Sequence, residues 1–293
     1  MSVTEVLPPK TAEPIAAYSP TMEVLFALLR SRSFMLGIAI LIFWAICALF
    51  GEMFTPYDPL ADDIINGLMP PDGDHWFGTD QLGRDVFSRV IVGSRDILTV
   101  APLATLLATI CGTALGLFTG YFRGLVDEIT SRILEAFMAI PVVIVALLAI
   151  VALGTSKFTV IFVIGLSFCP IIARTVRSAV LSERELDYVA AAQLRREGAV
   201  HIMFVEILPN VLPPILVETT VRLGYAIFVV ATLSFMGFGI QPPSPDWGLS
   251  ISANYGMIGG GFWWVVLFDA LAIASLVIAV NLIADGVQGA LDD

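Results

Sequence analysis

The chain has 293 residues, of which 57% are apolar and only 14% charged, with a mean hydropathy of +0.88. That balance excludes an ordinary soluble domain. A formal net charge of -11 argues against a surface made for nucleic acid or for anionic lipid.

Residues 1–33 form a polar tail with Pro8, Pro9, Pro14, Glu5, Glu13 and Glu23. It lacks the compact apolar core of a cleavable signal, so the first span is expected to serve as an uncleaved signal-anchor. Uncharged stretches then lie between Ser33 and Gly51, Ile97 and Phe122, Ala136 and Ser156, Phe158 and Ala173, Leu223 and Pro245, and Trp247 and Phe268. A hydrocarbon core of roughly 30 Å takes about 20 helical residues, so these are six candidate spans, the fourth short and carrying Pro170. No β-barrel alternation is present, and helices are the other way to satisfy backbone groups in lipid. The predicted fold class is an all-α polytopic membrane protein.

The first transmembrane helix is placed at residues 34–54, and an outer segment at 55–96 ends in an amphipathic elbow, Val86–Ile97. Its acids Asp58, Asp62, Asp63, Asp72, Asp74, Asp80 and Asp85 either face a basic partner or form a solvated loop. A five-helix core covers 97–285. In its first helix Gly112, Gly116 and Gly120, four apart, let another helix approach closely, inside this chain or across a subunit seam. An inner loop with Arg123, Asp127, Glu128 and Arg132 leads to a third span at Leu134–Leu153, joined to the fourth by the turn Gly154–Lys157. An outer loop covers 241–262 and the C-terminal tail 286–293. Placing both termini in the cytoplasm puts ten basic residues inside and four outside, as the positive-inside rule prefers.

Cys47, Cys111 and Cys169 fall in apolar runs and read as packing residues. His75 and His201 are too far apart to form a local metal motif, and no metal site is expected. Lys10 and Lys157, the two lysines, do not follow Gly-x4-Gly, so the chain has no P-loop. No Ser/His/Asp set, HExxH motif or paired catalytic acids point to a membrane enzyme.

The charged island 174–209 reads RTVRSAVLSERELDYVAAAQLRREGAVHIMFVEILP. Ser182 and Glu185 fit a capping box, and Glu183–Glu197 contains good helix formers without Gly or Pro. Arg195 and Arg196 suit the last turn, and Gly198 a left-handed stop. Tyr188, Ala191, Ala192 and Arg195 share a face, which inserts into a groove on another protein or lies flat on its own bundle or the membrane.

YVAAAQLRREGAVHIMFVEILP resembles the EAA loop of permease subunits in ATP-binding-cassette importers. Ala191, Ala192, Leu208 and Pro209 match the pattern, whereas Ala190 stands where Glu is usual and Arg196 where Gly is usual. FGTDQLGRDVFSRVIVGSR and LSFMGFGIQPPSPDWG are similar to stretches of the C-type subunits of the dipeptide, oligopeptide and nickel subgroup. The terminal NLIADGVQGALDD agrees, so the resemblance covers about Phe34–Asp293. It implies a type I importer permease fold of six transmembrane helices with a cytoplasmic coupling helix. The coupling set is then Asp187, Tyr188, Ala190, Ala191, Ala192, Arg195, Arg196, Gly198, Leu208 and Pro209. The implied partners are a B-type permease, two ATPases that bind ATP and Mg, and an extracytoplasmic solute-binding protein, with membrane lipid around the spans. This chain itself is expected to be non-catalytic and free of cofactors.

Peptides are the expected cargo, with nickel, opines or oligosaccharides as alternatives inside the subgroup. An ion-coupled secondary transporter is the alternative outside it; that reading wants mid-span acids and no docking loop. Three ionisable groups sit within apolar runs and are candidate pathway residues. Glu218 and Arg222, four apart, pair on one face as a structural clip or a gate. Asp269 faces either a central cavity or water. Relatives often carry an acid where this chain has Val230.

Overall fold

A computed structural model describes residues 26–292 of the chain; most of the polar tail lies outside them. No strand occurs among the described residues. The long helices are α1 (Arg32–Phe54) and α2 (Val86–Phe122), α5 (Lys157–Glu183) and α7 (Leu212–Phe235), and α9 (Trp264–Asp292). Each is long and apolar enough to cross a bilayer. Between α2 and α5 lie α3 (Gly124–Met138) and α4 (Val142–Leu153), bent by 87° to one another. Two shorter helices are α6 (Asp187–Leu194) and α8 (Trp247–Asn254).

The α2–α5 pair is the spine. Buried Ile97, Val100, Ala104, Ala108 and Leu117 of α2 face buried Val160, Ile164, Phe168, Ile172, Val176 and Val180 of α5. Gly112, Gly116 and Gly120 are the reason the two backbones come so close. A Cβ on them would sit 2.8 Å from the Cys169 carbonyl, 2.7 Å from the Ala173 carbonyl and 2.8 Å from Val180 Cβ, respectively. The glycine face therefore meets a helix of the same chain. Partner numbers rise together along both helices, so α2 and α5 run parallel.

Parallel neighbours require the chain to return between them. At one end Arg177 Nε and Nη2 grip the Asp127 carboxylate at 2.5 and 2.6 Å; at the other, Lys157 pairs with Asp96. The bent α3–α4 pair therefore makes the sixth crossing. This revises the single third span expected over Leu134–Leu153: the chain breaks at Ala139–Pro141, where Pro141 supplies no backbone N–H. The expected inner loop of Arg123, Asp127, Glu128 and Arg132 is instead helical from Gly124 onward.

The interfacial elbow expected at Val86–Ile97 is absent as a separate element. Those residues are the first turns of α2, with Val86 and Val90 at 3% exposure and Ile97 at 0%. A helix of 37 residues is about 55 Å long, well over the roughly 30 Å hydrocarbon core, so its first turns project beyond lipid and are covered by protein. Pro170 does not end the fourth span. Neighbouring helices in a bundle stabilise such a proline, and α5 is the most enclosed of the spans, with 61% of its apolar window buried. Cys47 and Cys169 are buried and all three cysteines are free thiols.

Candidate functional site

The charged island folds differently from the single capped helix expected. Helix α5 continues through Arg174 to Glu183, so Ser182 sits in its last turn and its hydroxyl contacts the Ser178 carbonyl instead of capping. The next helix, α6, starts after Leu186 with no side-chain cap. It ends in a Schellman arrangement: Glu197 N–H donates to the Ala192 carbonyl at 3.2 Å and Arg196 N–H to Gln193 at 2.9 Å. The left-handed residue is Arg196, with φ 58°, not Gly198, which is extended at φ -68°. Arg196 thus occupies the conformation that glycine adopts most cheaply.

One side of α6 points inward. Val189 and Ala192 are fully buried, while Tyr188 donates to Glu183 Oε2 at 2.7 Å and accepts from Asn210 Nδ2 at 3.1 Å. Burial, reinforced by the bond to Glu183, pushes the Tyr188 phenol up to about 12. The face expected to dock, Tyr188, Ala191, Ala192 and Arg195, is therefore largely turned toward the chain itself. The opposite side is open: Asp187, Ala190 and Gln193 are exposed, with Leu186 at 47% and Leu194 at 85%.

After α6 the chain turns at Gly198, passes through Ala199–His201 and enters a π-helical stretch, Ile202–Ile207. Leu208 N–H closes that stretch on the Met203 carbonyl at 2.9 Å. Pro209 is exposed and has no N–H to extend the ladder, so the chain turns there into α7. Buried Ile202 and Ile207 share the core with Val189 and Ala192, which seats α6 on the bundle. Two contacts clip its leading loop to the end of α2: an Arg123–Glu185 ion pair and the Arg184 guanidinium 5.4 Å from the Tyr121 ring. Movement of α6 is thus tied to α2 and α5.

At the other end of the bundle, two sequence motifs form a clasp. Asp80 accepts from Leu82 N–H at 2.9 Å, Arg84 N–H at 3.0 Å and Arg84 Nε at 2.8 Å. Asp85 caps α2 through Ser88 N–H at 2.8 Å and meets His75 Nδ1 at 2.9 Å. Gly83, at φ 75°, lies where a Cβ would be 1.7 Å from the Asp63 carbonyl. Asp246 caps α8 through Leu249 N–H at 2.9 Å. The indoles lock the parts together: Trp247 Nε1 donates to Val90 O at 2.9 Å and Trp264 Nε1 to Thr79 O at 3.2 Å. Several acids of the outer segment are thus structural. Asp80 and Asp85 are buried, and Asp58, Asp63 and Asp72 bond within their own loop.

The three pathway candidates separate. Arg222 Nε meets Glu218 Oε1 at 2.5 Å, and Thr175 donates to Glu218 Oε2 at 3.4 Å, so the pair clips α7 to α5. Asp269 is 1% exposed, which removes the water-facing reading. Neither of its oxygens makes a hydrogen bond of normal geometry; it interacts with the Ser250 side chain and electrostatically with buried Arg89. An open cavity of about 1040 Å³ lies beside the clasp, lined by Glu52, Asp58, Arg95, Asp96 and Lys157 among others.

A profile described as binding-protein-dependent transport system inner membrane component matches residues 112–293, more than half of the chain. The chain belongs to this family. Residues 19–71 match the N-terminal TM domain of oligopeptide transport permease C. Similar relatives include the dipeptide transport system permease protein DppC of Bacillus subtilis, 34% identical over 94% of this chain and 86% of the relative. DppC of Alkalihalophilus pseudofirmus is 36% identical over 97% and 93%, and the di/tripeptide DppC of Pseudomonas aeruginosa 33% over 96% and 95%. A chain of the inward-facing MetNI methionine ABC transporter superposes with a TM-score of 0.57 at 20% identity. The match covers 69% of this chain and 96% of that one, and shows the importer permease fold. This permease is accordingly an all-α, multi-pass inner-membrane component with the C-type resemblance seen in its motifs.

Proposed function

We propose that this permease forms half of the translocation pathway of an ATP-driven importer for peptides. A B-type permease would supply the other half, two cytoplasmic ATPases the energy, and an extracytoplasmic solute-binding protein the selection. The observation that carries the reading is α6: a short helix clipped to α2 and α5, with Leu186, Ala190 and Leu194 presented outward. Side chains at i, i+4 and i+8 make one stripe, the form in which a helix fits an apolar groove. ATPase closure pressing on that stripe would reach the spans through the Arg123–Glu185 contact and α5. Alternating access needs such a differential between states.

Peptide cargo is favoured over nickel, opines or oligosaccharides by the dipeptide transport named for the relatives. The ten-to-four division of basic residues supports a cytoplasmic position for both termini, on the side of α6. The test is a pull-down from mild detergent using a non-histidine tag, followed by mass spectrometry, an ATPase assay and peptide uptake in vesicles. Co-purification of a second permease and two ATPases with peptide-stimulated turnover is expected. Recovery of this chain alone after cross-linking, with ion-gradient-driven uptake, would establish the secondary transporter instead.

A further inference from the structure

Three groups able to ligate a metal converge just beyond α6. Glu197, His201 and Glu206 each offer one ligand atom, and these atoms lie within 4.8 Å of one another. The backbone explains how. Glu206 follows His201 by five residues, which on a regular α-helix leaves the pair about 140° apart around the axis. The π-helical stretch Ile202–Ile207 widens the turn and returns Glu206 toward His201. Glu197 precedes His201 by four residues and approaches from the turn after α6.

The oxygens are unequally used. Arg195 Nε donates to Glu197 Oε1 at 2.7 Å and Arg195 Nη2 to Glu206 Oε1 at 3.3 Å. One guanidinium therefore holds both carboxylates from behind. Glu197 Oε2 is buried and makes no hydrogen bond, with His201 Nε2 at 3.6 Å, a separation too long for a direct bond. A buried oxygen of a charged group left without a donor is costly, and a cation between it and the imidazole would satisfy both. Two carboxylates against one guanidinium leave the local field negative.

We propose that Glu197, His201 and Glu206 form a binding site for a first-row transition dication, Zn2+ foremost. One imidazole nitrogen and two carboxylates suit zinc with an open position for water. Calcium and magnesium prefer all-oxygen shells, and no thiolate stands near to select Cu(I). The bound ion would staple the turn after α6 to the π-helical stretch and so stiffen the link between α6 and α7. The site concerns this chain alone and stands whether or not the importer reading holds.

The full-length chain, purified in detergent with a non-histidine tag, would be titrated with Zn2+ by equilibrium dialysis and with Co2+ by visible absorption. One saturable ion per chain is expected. His201→Ala and Glu206→Gln should each weaken binding at least about tenfold, and Arg195→Gln by a smaller factor, as loss of a group that orients the ligands does. The chain has two histidines, so His75→Ala is the matched control and should bind as the parent does. Glu206→Gln preserves size, and identical elution profiles establish that a loss is not unfolding. Absence of saturable binding, or equal binding in parent and variants (an adventitious ion only), would overturn the site. Failure of ATPases to co-purify would bear on the importer reading and leave this titration unchanged.

Discussion

Gly116→Ala probes the contact on which the bundle is built. The added methyl would lie 2.6 Å from Val176 Cβ and 2.7 Å from the Ala173 carbonyl oxygen, against ordinary carbon contacts of about 3.5–4.0 Å. Both obstacles belong to backbone or Cβ, so no rotamer change clears them, and α2 and α5 must separate by roughly 1 Å. Over-packing of this kind typically costs about 1–3 kcal/mol. The opposing helix-propensity gain of alanine over glycine is about 1 kcal/mol in water. It shrinks in lipid, where the unfolded segment must keep its backbone hydrogen-bonded as well.

A net loss of about 1–2 kcal/mol follows from those two terms. Gly224→Ala in α7 is the internal control, because its nearest obstacle is Asn281 Oδ1 at 3.4 Å, an ordinary contact. It should stay within about 0.5 kcal/mol of the parent. Equilibrium unfolding of both variants in one detergent, followed by tryptophan fluorescence, reads the difference. Equal stability of the two alanine variants would mean that the glycine face does not bear on α5, and would return it to a subunit seam.

Leu194→Arg should leave insertion and stability within about 0.5 kcal/mol of the parent, because the side chain is 85% exposed, yet abolish ATPase co-purification; retained ATPases would sink the docking stripe. Ala192→Leu, at a fully buried position, should instead cost about 1–3 kcal/mol by over-packing, measured as a lower unfolding midpoint. Burial pushes the Asp246 carboxyl up to about 6 from its usual 3.8. The folded form then holds the proton more tightly than the unfolded chain, so stability falls as pH rises from roughly 4 through 6, by about 3 kcal/mol in all. Asp246→Asn keeps a good capping residue and should remove most of that slope in unfolding measured at pH 4.5 and pH 8; an unchanged slope refutes the assignment. Tyr188→Phe deletes the bonds to Glu183 and Asn210 and should cost about 1–2 kcal/mol, detected as faster amide exchange in α6.

Hydrophobic length alone placed the apolar segments, because bilayer thickness sets how many residues a crossing needs. The same signal could not show that the third crossing is bent. Charge-free stretches report where lipid is tolerated; the break at Ala139–Pro141 is marked only by Pro141, and that the bent pair must carry the chain back depends on α2 and α5 lying parallel, a contact between residues more than fifty positions apart. The elbow failed for a related reason. Val86, Val90 and Ile97 do recur at helical spacing, but the covering protein comes from Trp247 and its loop, far along the chain.

The charged island shows most clearly where local pattern stops. Periodicity groups Tyr188, Ala191, Ala192 and Arg195 on one side of a helix, but a stripe of small residues suits a partner's groove and the chain's own core equally well. Three long-range facts decide the direction: Val189 and Ala192 meet Ile202 and Ile207 in the core, Asn210 reaches back to the Tyr188 hydroxyl, and Arg123 holds Glu185. Residues with large apolar side chains, Leu186 and Leu194, are then left outward, which on a loop at the end of a bundle is costly unless something covers them. The departure at Arg196 follows the same logic. The left-handed turn belongs to its position in the Schellman arrangement, so it is retained when glycine is absent, and Arg196→Gly should relieve strain of about 1–2 kcal/mol. That makes Arg196→Gly a stabilising change in this permease. If the variant gained nothing in unfolding midpoint, the turn at the end of α6 would have to be looser than its hydrogen bonds indicate.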